Sequence, residues 1–345
     1  MTDTLSNATF NLLALKTLPA LTYATLQRLS QSTDLHAPLE KVLEECNALQ
    51  KLLPHDAPFP LSEADALELR QSAVNHALMA ARLGQRLISP LDSDFPTLLR
   101  SSPYCPPVLT VGGSAALSGK SFAAIVGSAQ PTAHGAEIAR RLTRYLCLNG
   151  FTPVTTDDTG VAAAVIEEGL ALRASPLMIL KDSPDHLASH PQVGLIGDLI
   201  NEDGSFISAC LYGHLPTEQD SYFQHCLLSD ISDFLIVVQS GRDSPCLMAA
   251  AAQLKKGGSV AVVCPTVYDT ERYASRVEGN LILLGSNPEA KLRLLGLSHH
   301  YAPAVNDRLI VIRDKNAYPL LKRLRIARGR NSVAPPAGDA SESEK

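Results

Sequence analysis

Two hydrophobic periodicities divide the chain. From Asn11 to about Arg86 apolar residues recur at helical spacing, as at Leu12, Leu13, Leu15, Leu18, Leu21 and Leu26, and β-branched runs are missing. This pattern predicts a small helical domain over residues 1–86. Breaks at Leu35-His36-Ala37-Pro38-Leu39 and from Leu53-Pro54 to Pro60 divide it into about four helices. Ser62 opens one of them as an N-cap, with Glu63 and Asp65 in the first turn.

A proline-rich connector follows, from Ser89-Pro90 through Asp94-Phe95-Pro96 to Pro106-Pro107-Val108-Leu109, and beyond it short apolar strands alternate with helices. Strands are expected at Phe122–Val126, Thr152–Thr156, Leu177–Leu180, Val193–Ile196, Phe206–Ala209, Phe234–Val238, Val260–Cys264 and Leu281–Leu284. Such alternation implies an α/β fold whose mainly parallel sheet is covered on both faces. The first helix, Ala136 to Asn149, places Ile138, Leu142, Tyr145 and Leu146 on one face and stops at the C-cap signal Asn149-Gly150. This main domain is assigned to residues 87–298. Residues 299–330 read as one more strand, Arg308 to Arg313, and a basic helix, Ala317 to Arg328. The small, polar and proline-rich segment 331–345 is expected to be a disordered tail.

Composition narrows the function classes. With 345 residues, 45% of them hydrophobic, the chain can close a core without staples. Its formal net charge of −5 gives no global attraction to nucleic acid, so any such binding has to come from local clusters of Lys and Arg. Seven cysteines, scattered and without a C-x-x-C pair, read as reduced residues of a cytoplasmic protein. Met1 to Phe10 is polar, and no apolar run is long enough to span a bilayer, so neither export nor membrane insertion is expected.

Candidate chemistry gathers at Ser121 to Gly135, SFAAIVGSAQPTAHG, an apolar strand that stops at Gly127-Ser128 and leads through Pro131-Thr132 into a helix. Gly127, Ser128, Thr132 and Gly135 could form an anion pocket from free N–H groups at a helix start, or simply a tight packing turn. Asp157 and Asp158 stand where a doubly wound fold recognises a ribose, although a capping pair, Asp158 or Thr159, for the next helix is the plainer reading. His225-Cys226 are adjacent on a helix and cannot readily serve each other as base and nucleophile. No catalytic residue and no cofactor is therefore expected. Nor is a metal, since His299-His300 and the other histidines show no Cys, Asp or Glu at ligand spacing. Arg140 and Arg144, with Arg141, and then Lys255 and Lys256 read as solvated faces or phosphate contacts. Lys322, Arg323, Arg325 and Arg328, beside Tyr318, form a denser cluster suited to nucleic acid or a protein partner.

Registered against the Gly127-Ser128 turn, the flanking motifs resemble the DNA-processing protein A (DprA/Smf) family of the DprA/LOG group. Asp94-Phe95-Pro96-Thr97-Leu98-Leu99 is similar to that family's Tyr-Pro-x-x-Leu, and Pro106-Pro107-Val108-Leu109 with Gly112-Gly113 to its Pro-x-x-Leu-x-x-x-Gly. Ala124-Ile125-Val126-Gly127-Ser128 with Thr132 and Gly135 is similar to its Ile-Val-Gly-Ser-Arg-x-x-Thr-x-x-Gly. Ser240-Gly241 with Ala249-Ala250, and Gly279-Asn280-Leu281-Ile282 with Gly285, complete five ordered matches. The resemblance implies a Rossmann-like doubly wound fold, adds Ser240 and Gly241 to the nucleotide- or phosphate-binding set, and implies non-enzymatic binding of single-stranded DNA or a nucleotide. Self-association and recruitment of a protein partner accompany DNA binding in that family.

Departures from the family pattern open other roles. Ala129 replaces an arginine, Gln224-His225-Cys226 replaces Arg-Asn-Arg, and Thr155 to Ala162 replaces Ser-Gly-x-Ala-x-Gly-Ile-Asp, which puts Asp157 and Asp158 near the pocket mouth. Lost guanidiniums remove bidentate phosphate contacts. They fit the family's ShosA-like branch, DprA-domain antitoxins that neutralise a phosphoribosyltransferase-like toxin in phage defence. A LOG-like nucleotide-processing enzyme ranks last, because its Pro-Gly-Gly-x-Gly-Thr-x-x-Glu motif is missing.

Overall fold

The structure, a computed structural model, describes residues 5–18, 23–49, 61–102 and 104–328. The expected break at Leu53 to Pro60 and the expected tail 331–345 lie outside the described residues. Helices Asn7–Lys16, Tyr23–Ser32, Leu39–Ala48 and Glu63–Arg82 bury Leu12, Leu13, Leu26, Val42 and Leu69 in a core of their own. Ser62 and Asp65 cap the last of them reciprocally, each side chain bonding the other's backbone N–H. Lys16 ties the bundle to the rest of the chain by donating to the carbonyls of Val108 and Ala209. The Tyr212 hydroxyl, 2.7 Å from Gln85 Oε1, adds a second tie.

Nine strands form one sheet: β1 (Arg86–Ile88), β2 (Leu109–Gly113), β3 (Phe122–Val126), β4 (Thr152–Thr156), β5 (Leu177–Ile179), β6 (Ser205–Ser208), β7 (Phe234–Val237), β8 (Ser259–Val263) and β9 (Leu309–Ile312). Their order is β1-β2-β6-β5-β4-β3-β7-β8-β9. The pairs β1/β2 and β2/β6 are antiparallel, and the other six are parallel. Phe122, Ala124 and Val126 of β3 join one core, with Leu228 and Leu254 from the helices Glu218–Ile231 and Cys246–Lys255. Ala123 and Ile125 join the opposite core, with Leu142 and Leu146 of the helix Ala133–Leu148. Burial on both faces is why β3 is an unbroken apolar run rather than an alternating one.

Two expected strands are helices. Val193–Ile196 begins the helix Val193–Asn201, where Ile196 and Leu199, three apart, are buried, and Leu281–Leu284 ends the helix Ala274–Leu284, where Val277, Asn280 and Leu283 are buried. The branched residues suggested strands, whereas the spacing over the longer window is helical. The connector also hides β1 and β2. Position 112 in β2 is glycine because a Cβ there would stand 2.1 Å from the Phe206 ring of the neighbouring strand. The C-terminal strand is the ninth strand of the same sheet, on β8.

From β3 the chain moves to β4 on one side, while β7 lies on the other. Strand order thus reverses between β3 and β7, and the carboxyl ends of these strands flank the crevice where open α/β sheets bind ligands.

Candidate functional site

At the end of β3 the turn is held by protein groups. Thr132 caps the helix Ala133–Leu148, its hydroxyl accepting the Gly135 N–H at 3.1 Å. Gln239, buried just past the end of β7, accepts the Ser128 N–H on its carbonyl at 2.7 Å and the Thr132 N–H on Oε1 at 2.8 Å. Its amide therefore occupies the helix-start position that an anion would take. The glycines make room for this packing: a Cβ on Gly135 would lie 2.6 Å from Gln239 Oε1, and one on Gly127 would lie 2.7 Å from Val161 Cγ2. The adjoining cavity, lined by His134, Gly135, Gln239, Cys264 and Asp269, measures about 10 Å3, enough for a single water.

The segment 159–161 clasps this turn. Val161 N–H donates to Ser128 O at 3.1 Å, and the Thr159 hydroxyl donates to Ala129 O at 3.0 Å. Gly160, at φ +69°, is the cap residue of the helix Val161–Ala171, and a Cβ there would meet Ala129 O at 2.5 Å. The expected cap by Asp158 or Thr159 is thus corrected: neither side chain closes the helix.

Ser240 and Gly241 meet Gly279 and Asn280. Asn280 Oδ1 accepts from the Ser240 N–H at 2.7 Å and its hydroxyl at 3.0 Å, while Nδ2 donates to Val238 O at 3.1 Å and Val263 O at 2.9 Å. A Cβ on Gly279 would lie 2.4 Å from Ser240 Oγ. These motif residues therefore lock the ends of β7 and β8 to the helix Ala274–Leu284.

Asp157 is buried at the end of β4, away from the turn. It accepts from Lys181 N–H at 3.0 Å, Gln224 Nε2 at 2.6 Å and His190 Nε2 at 3.1 Å. Because His190 Nδ1 accepts the Gln192 N–H, it is Nε2 that donates to Asp157. Burial alone would raise the Asp157 pKa, but the bonds from His190, Lys181 and Gln224 outweigh it and hold the carboxyl below its usual range. Gln224 thus solvates the Asp157 carboxylate. A cavity of about 170 Å3 adjoins the cluster, lined by Asp157, Asp182, Ser183, His186 and His190. Because its folded pKa is depressed, the stabilisation from Asp157 is present above the unfolded value of about 3.9 and is lost as pH falls through the folded value. Asp157→Asn is expected to cost about 2–3 kcal/mol at neutral pH, with the deficit narrowing in acid. Denaturant unfolding at both pH values reads it; an equal deficit at each would contradict the ionised assignment.

The expected cations divide into two groups. Arg140 pairs with Glu167 at 2.8 Å and Arg144 with Glu168 at 2.7 Å, and Arg242 beside the crevice pairs with Glu278 at 2.9 Å. Lys256 donates to Ser229 O and lies 3.6 Å from Asp230, while Lys255 is exposed. On the helix Tyr318–Arg328, Lys322 and Arg323 are exposed and form no ion pair among the described residues. Arg325 and Arg328 follow on the same helix. That helix packs on the pocket helix through Tyr318 and Tyr145, whose rings are 5.2 Å apart.

His225 is buried, with Nδ1 on the Ser221 carbonyl at 2.6 Å, and burial pushes the Cys226 thiol up to about 11, so it stays protonated and non-nucleophilic. One histidine does have thiol and carboxylate neighbours. Cys210, His214 and the buried Asp220 bring their ligand atoms within 4.8 Å of one another, a spacing of three and then five intervening residues. Gln239 and Val161 were legible only as a polar residue closing an apolar strand and a valine opening a helix.

A family model described as DNA recombination-mediator protein A matches residues 86–287. Protein Smf of Synechocystis sp. is 23% identical over 245 residues, 68% of this chain and 55% of that protein, so the chain spans about half the length of this curated relative. Among solved structures, DNA processing protein A from Streptococcus pneumoniae is similar at TM-score 0.63 and 15% identity, over 90% of this chain and 97% of that one. DNA processing protein A from Helicobacter pylori, described for its single-stranded DNA binding mode, is similar at TM-score 0.51 and 17% identity, over 69% and 96%. Among the described residues no helix is long and apolar enough to cross a membrane.

Proposed function

Since the chain belongs to the DNA recombination-mediator protein A family, we propose that it binds single-stranded DNA without reacting with it, through the basic segment Arg308 to Arg328. The observation that carries this reading is the contrast in charge. Gln239 and Val161 fill the crevice at the β3 turn, and Arg140, Arg144 and Arg242 around it are neutralised by glutamates. Lys322 and Arg323 instead face solvent. Phosphate affinity comes from cations free to release counterions, so the accessible pair outweighs the paired ones.

Fluorescence anisotropy with labelled single-stranded DNA across a salt series tests the reading. Binding should weaken steeply with salt, and Ser128→Glu, placed at the turn, should leave it unchanged. A loss of binding in that variant would return the site to the turn. No binding even at low salt would sink the DNA reading. It would favour a protein partner, including the toxin of the antitoxin reading, for which Val267 and Tyr268, 74% and 59% exposed, offer an apolar surface.

A further inference from the structure

We propose that Cys210, His214 and Asp220 form a three-ligand zinc site that pins the loop after β6 to the start of the helix Glu218–Ile231. Sγ, Nε2 and a carboxylate oxygen lie within 4.8 Å of one another. His214 Nε2 is already 2.9 Å and 3.1 Å from the two Asp220 oxygens. Bonds of about 2.0–2.3 Å to a tetrahedral zinc hold neighbouring ligand atoms roughly 3.3–3.8 Å apart, so even a pair at the 4.8 Å limit closes by only about an ångström while the His214–Asp220 pair opens by a few tenths.

The supporting groups are in place. Thr217 N–H donates to Asp220 Oδ2 at 2.6 Å, which fixes the carboxylate with both oxygens facing the imidazole. The Cys210 N–H is held by Ser208 Oγ at 3.1 Å, so the loop that carries the thiol is anchored at the end of β6. The thiol donates to the Lys181 carbonyl at 3.2 Å, a bond it gives up when its proton leaves to solvent and the zinc–sulfur bond forms. One sulfur, one imidazole and one carboxylate make a borderline-soft set that favours zinc over calcium or magnesium, with the fourth position open to water.

Pinning this loop would reach beyond the site. Its residues carry the contacts to the helical bundle, since Lys16 holds the Ala209 carbonyl and Tyr212 holds Gln85.

Cobalt titrated into the full-length reduced chain, purified without chelator or metal-affinity resin, is the probe. One equivalent should raise a sulfur-to-cobalt charge-transfer band and the visible bands of four-coordinate cobalt, and zinc should bleach both. Cys210→Ser should abolish the charge-transfer band, and His214→Ala should weaken cobalt binding roughly tenfold or more, with circular dichroism showing both variants folded. No band in the wild-type chain overturns the proposal, leaving His214 and Asp220 as a plain hydrogen-bonded pair. So does a band that persists in Cys210→Ser, which would belong to another of the seven cysteines.

Discussion

Asn280→Ala is expected to remove about 3–5 kcal/mol of stability, because it strands several buried backbone groups at once. The side chain is fully buried and uses both ends: Oδ1 serves the Ser240 N–H and hydroxyl, and Nδ2 serves the carbonyls of Val238 and Val263. Those groups cap two neighbouring strands where the chain leaves the sheet, and no alanine side chain can reach them. A buried donor or acceptor left without a partner costs about 1–3 kcal/mol each, and the loss of side-chain volume adds a cavity term. Asn280→Asp keeps the acceptor but turns a carboxylate toward two carbonyls, so it should be no better than alanine. Urea unfolding reads the change as a lower midpoint at constant slope. A midpoint within about 1 kcal/mol of the wild type would show that the lock is not what joins β7 and β8 to the helix.

The second large effect is on affinity. Lys322→Glu with Arg323→Glu is expected to weaken single-stranded DNA binding about a hundredfold at moderate salt and to flatten the slope of log affinity against log salt by about 1.4, the contribution of two phosphate contacts on a single strand. Both positions are exposed on a helix that packs through Tyr318, Leu321 and Leu324, so the substitutions leave that packing intact. Anisotropy with the double variant, beside a thermal melt, separates loss of binding from loss of fold. An unchanged slope would remove this helix from the interface.

How far the residues alone disclosed the molecule follows from what each signal encodes. β3, β7 and β8 were legible because strands buried on both faces are apolar nearly throughout, and β4, Thr-Pro-Val-Thr-Thr, was legible from its β-branched residues just after the Asn149-Gly150 stop. Val193–Ile196 and Leu281–Leu284 misled for the same reason: an apolar quartet fits a buried strand or one turn of a half-buried helix, and only the following residues decide. At the candidate site, Gly127, Thr132 and Gly135 were visible as a strand-turn-helix, but their purpose was not. A glycine that admits a ligand and one that admits Val161 or Gln239 look identical in sequence, since both record only that a Cβ would collide. The pairing of Arg140 and Arg144 with glutamates from the next helix was equally hidden, because those carboxylates are 27 and 24 residues away. Cys210, His214 and Asp220 are close in sequence, but their three- and five-residue gaps match no common ligand motif, and only the fold brings the three side chains together.

Gln239 makes anion capture at the β3 turn a matter of competition. Its amide is tethered to the end of a rigid strand and is always present, so an arriving phosphate meets an intramolecular rival at high effective concentration instead of an empty seat. Occupancy then depends on what it costs to swing one buried glutamine aside, and the intrinsic strength of the helix-start donors becomes secondary. Sequence change at residue 239 alone could therefore retune the turn between closed and receptive, with the nine-stranded scaffold left as it is.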